Sequence, residues 1–381
     1  MKKFAVDVAV RQFSKRGEDI CGDAWKVSHL ADSTIIVLSD GLGSGVKANV
    51  LANLTVEIAA GLFEGELSQR EIVETLVDTL PVCKVRNIAY STFSIARIYD
   101  TGQVALVGYD CPNAVYRRNG LGFQWPTYTE HEICGKTIRE SYFRMKPDES
   151  IVFFTDGIVN AGIGQGLALG WQEEGILDFL KGQGSRPGTP DEQAEKLSGK
   201  ALSYWSGSPG DDGTVAVARY RKASRVSIIT GPPSERSLVD RMMRDFTSRE
   251  GSRVVCGGTT AHLVADFLGQ ELQMDERFLD SDLPPTALLN GVDLVTEGIL
   301  TLSRATEYLT KGRPTDTRDG ATALLDCIDQ ADGITFLVGT ARNPAHQNTG
   351  LPASIFLRKT VVENLAGELR RRGKETELVY Y

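Results

Sequence analysis

Ser33-Thr34-Ile35-Ile36-Val37-Leu38 is a continuous β-branched and apolar run that reads as a buried strand, and it ends in a charge: Ser39-Asp40-Gly41-Leu42-Gly43-Ser44-Gly45. A carboxylate at the end of a buried strand is costly unless it is paired or coordinates a cation. The glycines at 41, 43 and 45 let the backbone approach a ligand and expose its carbonyl oxygens. Beyond them Val46, Val50, Leu51, Leu54, Ile58 and Leu62 recur at helical spacing, so the loop leads into a helix over Val46–Leu62.

The arrangement recurs. Asp156-Gly157 follows the apolar run Ile151-Val152-Phe153-Phe154-Thr155, Asp211-Asp212-Gly213-Thr214 precedes a strand over Thr214–Arg219, and Gly22-Asp23 opens the strand expected to pair with the one ending at Asp40. If these strand ends converge, they form a cluster of carboxylates and water with no soft ligand. Oxygen-only ligation selects hard divalent cations such as Mg²⁺ or Mn²⁺. Two such ions about 4 Å apart polarise a bridging water and clamp a phosphoryl oxygen during in-line displacement. Any one Asp-Gly alone reads as a turn. Ser39–Gly45 alone reads as a helix-N-terminal anion loop, and it is not a P-loop because Gly-Lys-Ser/Thr is missing. Four such motifs in order, each at a strand boundary, point to metal.

The surrounding pattern predicts an α+β protein. Phe4–Val10 alternates as a strand, and a capping box at Ser68 and Glu71 opens a second helix ending near Leu80. Strands over 90–99, 103–108 and 114–118 follow as a meander, with turns at Asp100-Thr101-Gly102 and Arg118-Asn119-Gly120, and two helices fill 173–204. Strands, a helix pair, more strands and more helices imply helices covering antiparallel sheets. After residue 222 strand and helix alternate: Val226–Thr230, a helix over Ser234–Arg249, Arg253–Cys256, a helix from Thr260. That is the pattern of a smaller parallel α/β domain, so the expected domains are 1–222 and 223–381.

A formal charge of −8 argues against a nucleic-acid or anionic-membrane binder. Met1–Asp7 contains no long apolar segment of a secretory signal, and no apolar stretch approaches the ~20 residues needed to span a bilayer. The six cysteines are scattered without a CxxC pair and read as reduced thiols, and the histidines lack zinc spacing, so a cytoplasmic protein is expected.

The ordered motifs resemble those of the metal-dependent, PPM-type serine/threonine protein phosphatases, in particular the bacterial branch typified by the SpoIIE sporulation phosphatase. The stretch Ser91–Gly102, continuing through Gly108 and Pro112 to Arg118-Asn119-Gly120, resembles that family's central meander. The resemblance implies an αββα sandwich holding two Mn²⁺ or Mg²⁺ ions between its sheets. It implies that Asp40 bridges both ions through which the catalytic water acts, with Asp23 and the Gly41 carbonyl holding one ion and Asp156 and Asp211 the other. Asp212 is then in the surrounding shell, and no covalent phosphoenzyme is expected. Two departures stand out. Trp25 occupies the place of a histidine found in many eukaryotic members, leaving His29 to pack or face solvent, and Asn160 stands where relatives often carry an acid. The helix pair over 46–80 corresponds to elements thought to switch activity in SpoIIE-type enzymes.

The second domain resembles nothing nameable. Thr230-Gly231-Pro232-Pro233-Ser234 and Cys256-Gly257-Gly258-Thr259-Thr260 are strand-to-helix turns of the kind that lie at the ligand-binding edge of a parallel sheet. Gly257, Gly258, Thr259 and Thr260 are candidates for an anion site, with ordinary helix capping as the competing reading. Arg370-Arg371-Arg372 and Lys374 read as a solvated helix end, and Asp293 and Glu297 as surface acids. The expected activity is hydrolysis of a phosphoserine or phosphothreonine on a partner protein, in a regulatory, signalling role, with a small ligand or regulatory protein at the second domain. Two alternatives stand beside it: a non-catalytic, metal-containing scaffold, which four intact motifs disfavour, and a dimetal hydrolase of a small-molecule phosphate.

Overall fold

A computed structural model describes residues 2–65, 69–79, 82–83, 88–89, 91–184, 188–274, 287–314, 317–341 and 353–381. The chain divides into two compact units, Phe4–Lys222 and a second formed by Ala223–Tyr381 with the N-terminal residues before Phe4. The Lys2 amide donates to Glu375 at 2.7 Å and its carbonyl accepts from Arg225, which ties these residues to the second unit.

The first unit runs β1 (Phe4–Phe13), β2 (Asp23–His29), β3 (Ser33–Asp40), α1 (Gly45–Glu64) and α2 (Gln69–Thr79). The short β4 (Val82–Cys83) and β5 (Ile88–Ala89) precede β6 (Phe93–Tyr99), β7 (Gln103–Tyr109), β8 (Val115–Arg118) and β9 (Gly122–Gln124). Then come β10 (Thr129–Ile133), β11 (Lys136–Arg144), β12 (Glu149–Phe154), α3 (Asp156–Val159), α4 (Gln172–Gly182), α5 (Pro190–Tyr204) and β13 (Gly213–Lys222). Two antiparallel sheets form, ordered β1-β13-β12-β8-β9 and β10-β11-β7-β6-β3-β2. β3 explains why its sequence is apolar without interruption. Ile36 and Leu38 face the layer shared with Ile151, Phe153 and Ala216 of the other sheet, while Ile35 and Val37 pack with residues of α1 and α2. α4 and α5 cover the far face of the five-stranded sheet through Ile176, Leu180, Leu197 and Trp205. The expected αββα sandwich is therefore the fold of the first unit.

Helix α1 lies where expected but is turned so that only part of the predicted stripe packs inward. Val46, Val50 and Leu54 of the predicted stripe point outward, with Val46 64% and Val50 59% exposed, and Ile58 and Leu62 pack against the core beside the buried Ala48, Ala52, Thr55, Val56, Ala59 and Phe63. Small residues face the sheet because the helix approaches it closely. A Cβ on Gly41 would stand 2.1 Å from the Ala48 carbonyl oxygen. Contrary to the expectation that no such stretch exists, this 20-residue helix is long and apolar enough to cross a membrane by length and composition. Its buried alanine face is the packing of a core helix. Ser68 and Leu80, the expected ends of the second helix, and residue 90, the expected start of a strand, lie outside the described residues.

The second unit runs β14 (Arg225–Thr230), α6 (Val239–Ser248), β15 (Ser252–Cys256), α7 (Gly258–Leu268), β16 (Gln273–Met274), β17 (Ala287–Leu289) and β18 (Val292–Thr296). α8 (Ile299–Lys311), α9 (Gly320–Asp329), β19 (Gly333–Val338), α10 (Ala353–Arg371) and β20 (Glu375–Tyr380) complete it. β18-β15-β14-β19-β20 are parallel neighbours, so these five strands take the doubly wound order 3-2-1-4-5 by their place in the chain. α8, α9 and α10 cover one face and α6 and α7 the other. The helix expected from Ser234 begins only at Val239, after a 3₁₀ turn over Arg236–Leu238. The Thr260 hydroxyl accepts from the Gly231 amide at 2.8 Å, so this member of the expected anion set joins the two turns to each other. Asp293 accepts from the Arg253 amide and Glu297 from the Leu300 amide. The basic run is tethered rather than free: Lys374 donates to the carbonyls of Asp329 and Ala331, and Arg372 to that of Leu309.

Cys21, Cys111, Cys134, Cys256 and Cys327 are free thiols, and the side chain of Cys83 lies outside the described residues. Phe153 is buried between the sheets of the first unit. Phe153→Ala is expected to cost about 3–5 kcal/mol, read as a fall in the urea midpoint at unchanged m; a loss below about 1 kcal/mol would contradict this packing.

Candidate metal centre

Antiparallel pairing of β2 with β3 sets Asp23 directly opposite Asp40. On the other sheet, β12 and β13 are neighbours with Phe154 opposite Val215, so Asp156 and Asp211-Asp212 emerge at one common edge. Two threonines join the edges of the two sheets. The Thr155 and Thr214 hydroxyls both donate to Asp23 Oδ2, at 2.8 and 2.7 Å, and the Thr214 amide donates to the Thr155 hydroxyl at 2.9 Å. Gln12 steadies the group by donating to the Thr214 hydroxyl and the Asp23 carbonyl.

Asp23 is only 2% exposed, and its Oδ1 is buried with no hydrogen-bond partner among the described residues. A buried carboxylate oxygen left unpaired in this way costs the full desolvation of that atom. Asp156 lies close enough to Asp40 for its charge to act on it. Asp212 is 4% exposed; its Oδ1 accepts from the Lys15 amide at 2.9 Å and its Oδ2 is likewise buried without a partner. Asp211 lies 3.9 Å from the Lys15 ammonium. Gly157 makes room for this crowding, since a Cβ there would stand 1.8 Å from the Asp212 carbonyl oxygen. As the side chains stand, no three His, Cys, Asp or Glu groups among the described residues converge closely enough to hold an ion. The structure brings Asp156 close to Asp40 and sets Asp23 opposite Asp40, with Asp211 at the partly exposed side and Gly41 directly after Asp40 at the end of β3.

The electrostatics are those of clustered negative charge compensated only in part. Burial pushes the Asp40 carboxyl well above the usual aspartate range, and Asp23, Asp156 and Asp211 push it further. Burial also raises Asp23, with Asp212 and Asp156 adding to the shift and the Thr214 and Thr155 hydroxyls opposing it. Asp211 is raised by burial and by Asp156, and Lys15 counters part of this. An oxygen-only donor set with two orphaned buried atoms, and with carboxyl pKa values raised by burial and by neighbouring carboxylates, fits hard divalent cations.

Thr155, Thr214 and Lys15 were not among the residues expected from sequence. The threonines sit inside the Thr-Asp-Gly and Asp-Asp-Gly-Thr motifs, so proximity to the ligand residues was their only signal. Lys15 had none, because its place depends on the β1–β2 loop folding against Asp211-Asp212. His29 is exposed, with Nδ1 3.1 Å from the Thr34 hydroxyl. Asn160 Nδ2 lies 3.4 Å from Asp156 Oδ2.

The family model for stage II sporulation protein E (SpoIIE) matches residues 31–221, half of the 381-residue chain. Among solved structures, the PP2C phosphatase domain of the cell-fate determinant SpoIIE from Bacillus subtilis, with a fragment of its regulatory domain, is 18% identical. The match covers 59% of this chain and 66% of that one with a TM-score of 0.51. The phosphatase domain of the same protein alone is 19% identical over 58% of this chain and 95% of that one, with a TM-score of 0.47. The SiaA PP2C domain of Pseudomonas aeruginosa is 18% identical over 56% and 85%, with a TM-score of 0.44. At these identities the likeness is one of fold. No functionally curated protein matches the sequence.

An acid whose pKa is higher in the folded than in the unfolded state leaves the folded state binding more protons, so stability is lost as pH rises above the ordinary aspartate range near ~4. Asp23, Asp40 and Asp211 all shift in this direction. The metal-free protein is therefore expected to lose thermal stability between about pH 4 and pH 7, and millimolar Mn²⁺ is expected to raise Tm more at about pH 7.5 than at about pH 5. A Tm insensitive to both pH and Mn²⁺ would argue against a carboxylate metal centre.

Proposed function

Because this chain belongs to the SpoIIE family of PP2C-type phosphatases, we propose that its first unit hydrolyses phosphoserine or phosphothreonine on a partner protein, using two Mn²⁺ or Mg²⁺ ions. The observation that carries this reading is the set of aspartates gathered at adjoining strand ends, with Asp23 and Asp212 buried, their charge offset only in part by Lys15, and Asp23 Oδ1 lacking any partner among the described residues.

We assign Asp40 as the residue shared between the ions, Asp23 and the Gly41 carbonyl to one of them, and Asp156 and Asp211 to the other. Bound there, divalent ions supply Lewis-acid activation of a water and neutralise charge on the phosphoryl oxygens. The chain's own residues prepare the site. Thr155 and Thr214 fix Asp23 so that its free oxygen keeps one orientation. Asp40 and Asp156 lie close together and would hold the cations as carboxylates. Asp212 holds the backbone of Lys15, which places an ammonium beside Asp211 on the partly exposed side. No nucleophilic side chain is required, in keeping with direct attack by water.

The second unit is assigned an accessory role, sensing a small ligand or docking a regulatory protein. Its doubly wound order supports this, since ligands of such sheets lie outside the C-terminal strand edge, where Gly257, Gly258 and Thr259 open α7.

Phosphate release from a phosphothreonine peptide is expected to require Mn²⁺ or Mg²⁺ and to fall at least about 100-fold in Asp40→Ala. Hydrolysis of p-nitrophenyl phosphate without any phosphopeptide turnover would move the assignment to small phosphate esters. Metal binding with no hydrolysis of either substrate would leave the scaffold reading in its place.

A further inference from the structure

A cleft of about 910 Å³ opens beside the candidate metal centre, with Asp156 and Asn160 lining one part and Lys136 and Arg139 of β11 another. It lies at the upper end of the size range of ligand clefts. Both cations hydrogen-bond only to neutral acceptors. Lys136 Nζ donates to the Val77 carbonyl at 2.7 Å and lies 5.4 Å from the centroid of the Tyr109 ring. Arg139 donates to Asn113 Oδ1 at 2.5 Å and to the Cys111 carbonyl, and lies over Tyr128. Among the described residues neither forms an ion pair.

The two differ in what they have left to offer. Arg139 spends its guanidinium on the Cys111–Asn113 segment, and Asn113 in turn donates through its amide and side chain to Glu173 at 2.8 and 3.0 Å. Arg139 and Glu173 thus build the floor of the cleft and satisfy each other's neighbours. An ammonium has three donors, and Lys136 commits one to Val77, so it keeps hydrogen-bonding capacity toward the cleft. Burial lowers the Lys136 pKa, and Cys134 and Asp78 act against that shift without reaching ion-pair distance. Asp110 and Glu130 also line the cleft, but both are exposed and their fields are screened by solvent.

We propose that this cleft receives the polypeptide flanking the phosphorylated residue, and that Lys136 selects substrates carrying an aspartate or glutamate in that segment. The proposal rests on the phosphatase reading of the neighbouring site. A carboxylate in the cleft supplies Lys136 with the charged acceptor its own fold withholds, and the floor fixed by Arg139 keeps the geometry constant between substrates. Lys136 is thereby a specificity residue rather than a catalytic one.

The test compares two sets of phosphothreonine peptides that differ only in Glu or Gln, the substitution being moved through the positions flanking the phosphothreonine. With the full chain and Mn²⁺, at one position or more the Glu peptide is expected to show a KM about five- to tenfold lower than its Gln counterpart at similar kcat. Lys136→Gln is expected to collapse that ratio toward one, and Lys136→Arg to restore it. Equal KM values for Glu and Gln at every position in the wild type overturn the proposal, as does an undiminished ratio in Lys136→Gln. The wild-type comparison decides the matter even if Lys136→Gln fails to fold. If the wild type hydrolyses neither peptide nor p-nitrophenyl phosphate, the phosphatase reading has failed on its own. The groove is then judged by fluorescence anisotropy of the same labelled peptides on wild-type protein, where an equal Kd for Glu and Gln overturns it.

Discussion

Two aspartates face each other across adjacent strands, and the rest of the first unit is arranged around that opposition. Like charges directly opposite on a sheet repel, and Asp23 and Asp40 hold these places with Asp156 and Asp211 close by. The fold meets the cost in part, by giving Asp23 two threonine hydroxyls and by setting the Lys15 ammonium beside Asp211. The remainder stays as buried, unpartnered oxygens and raised carboxyl pKa values. A site that is electrostatically unsatisfied in this manner is stabilised by cations, which links metal binding to the stability of the sheet edges themselves.

Close backbone approach is the second condition. Gly41 lets α1 descend on the sheet and Gly157 lets the start of α3 meet the Asp212 backbone, and at both a Cβ would fall well inside contact distance. The buried alanines of α1 follow from the same constraint, since larger side chains would lift the helix off β2 and β3. The valines and leucine at helical spacing are consequently turned outward. Steric access for the backbone, rather than maximal burial of apolar side chains, orients this helix.

The polar groups beyond the aspartates divide into those that serve the fold and those with donors left over. Arg139, Asn113 and Glu173 form a closed chain of hydrogen bonds below the cleft. In the second unit Thr260, Lys374 and Arg372 are similarly committed to backbone groups. Lys136 and Lys15 differ, because each holds an ammonium next to the region where a phosphorylated chain would lie.

Much of this was determined by sequence alone. The run Ile35–Leu38 could only be a strand with both faces covered, four aspartate motifs at strand boundaries could be recognised in order, and the change to alternating strands and helices after residue 222 marked a different architecture. These are local patterns, set by backbone periodicity and turn chemistry. Tertiary structure decided what depends on distance between remote segments. It chose the alanine face of α1 over the valine face, brought Thr155 and Thr214 onto Asp23, folded Lys15 against Asp211-Asp212 and left Lys136 without an ion pair among the described residues. A hydrogen bond between residues 132 or 191 positions apart has no periodicity to reveal it. It exists only once two sheets have stacked and brought their edges to one place.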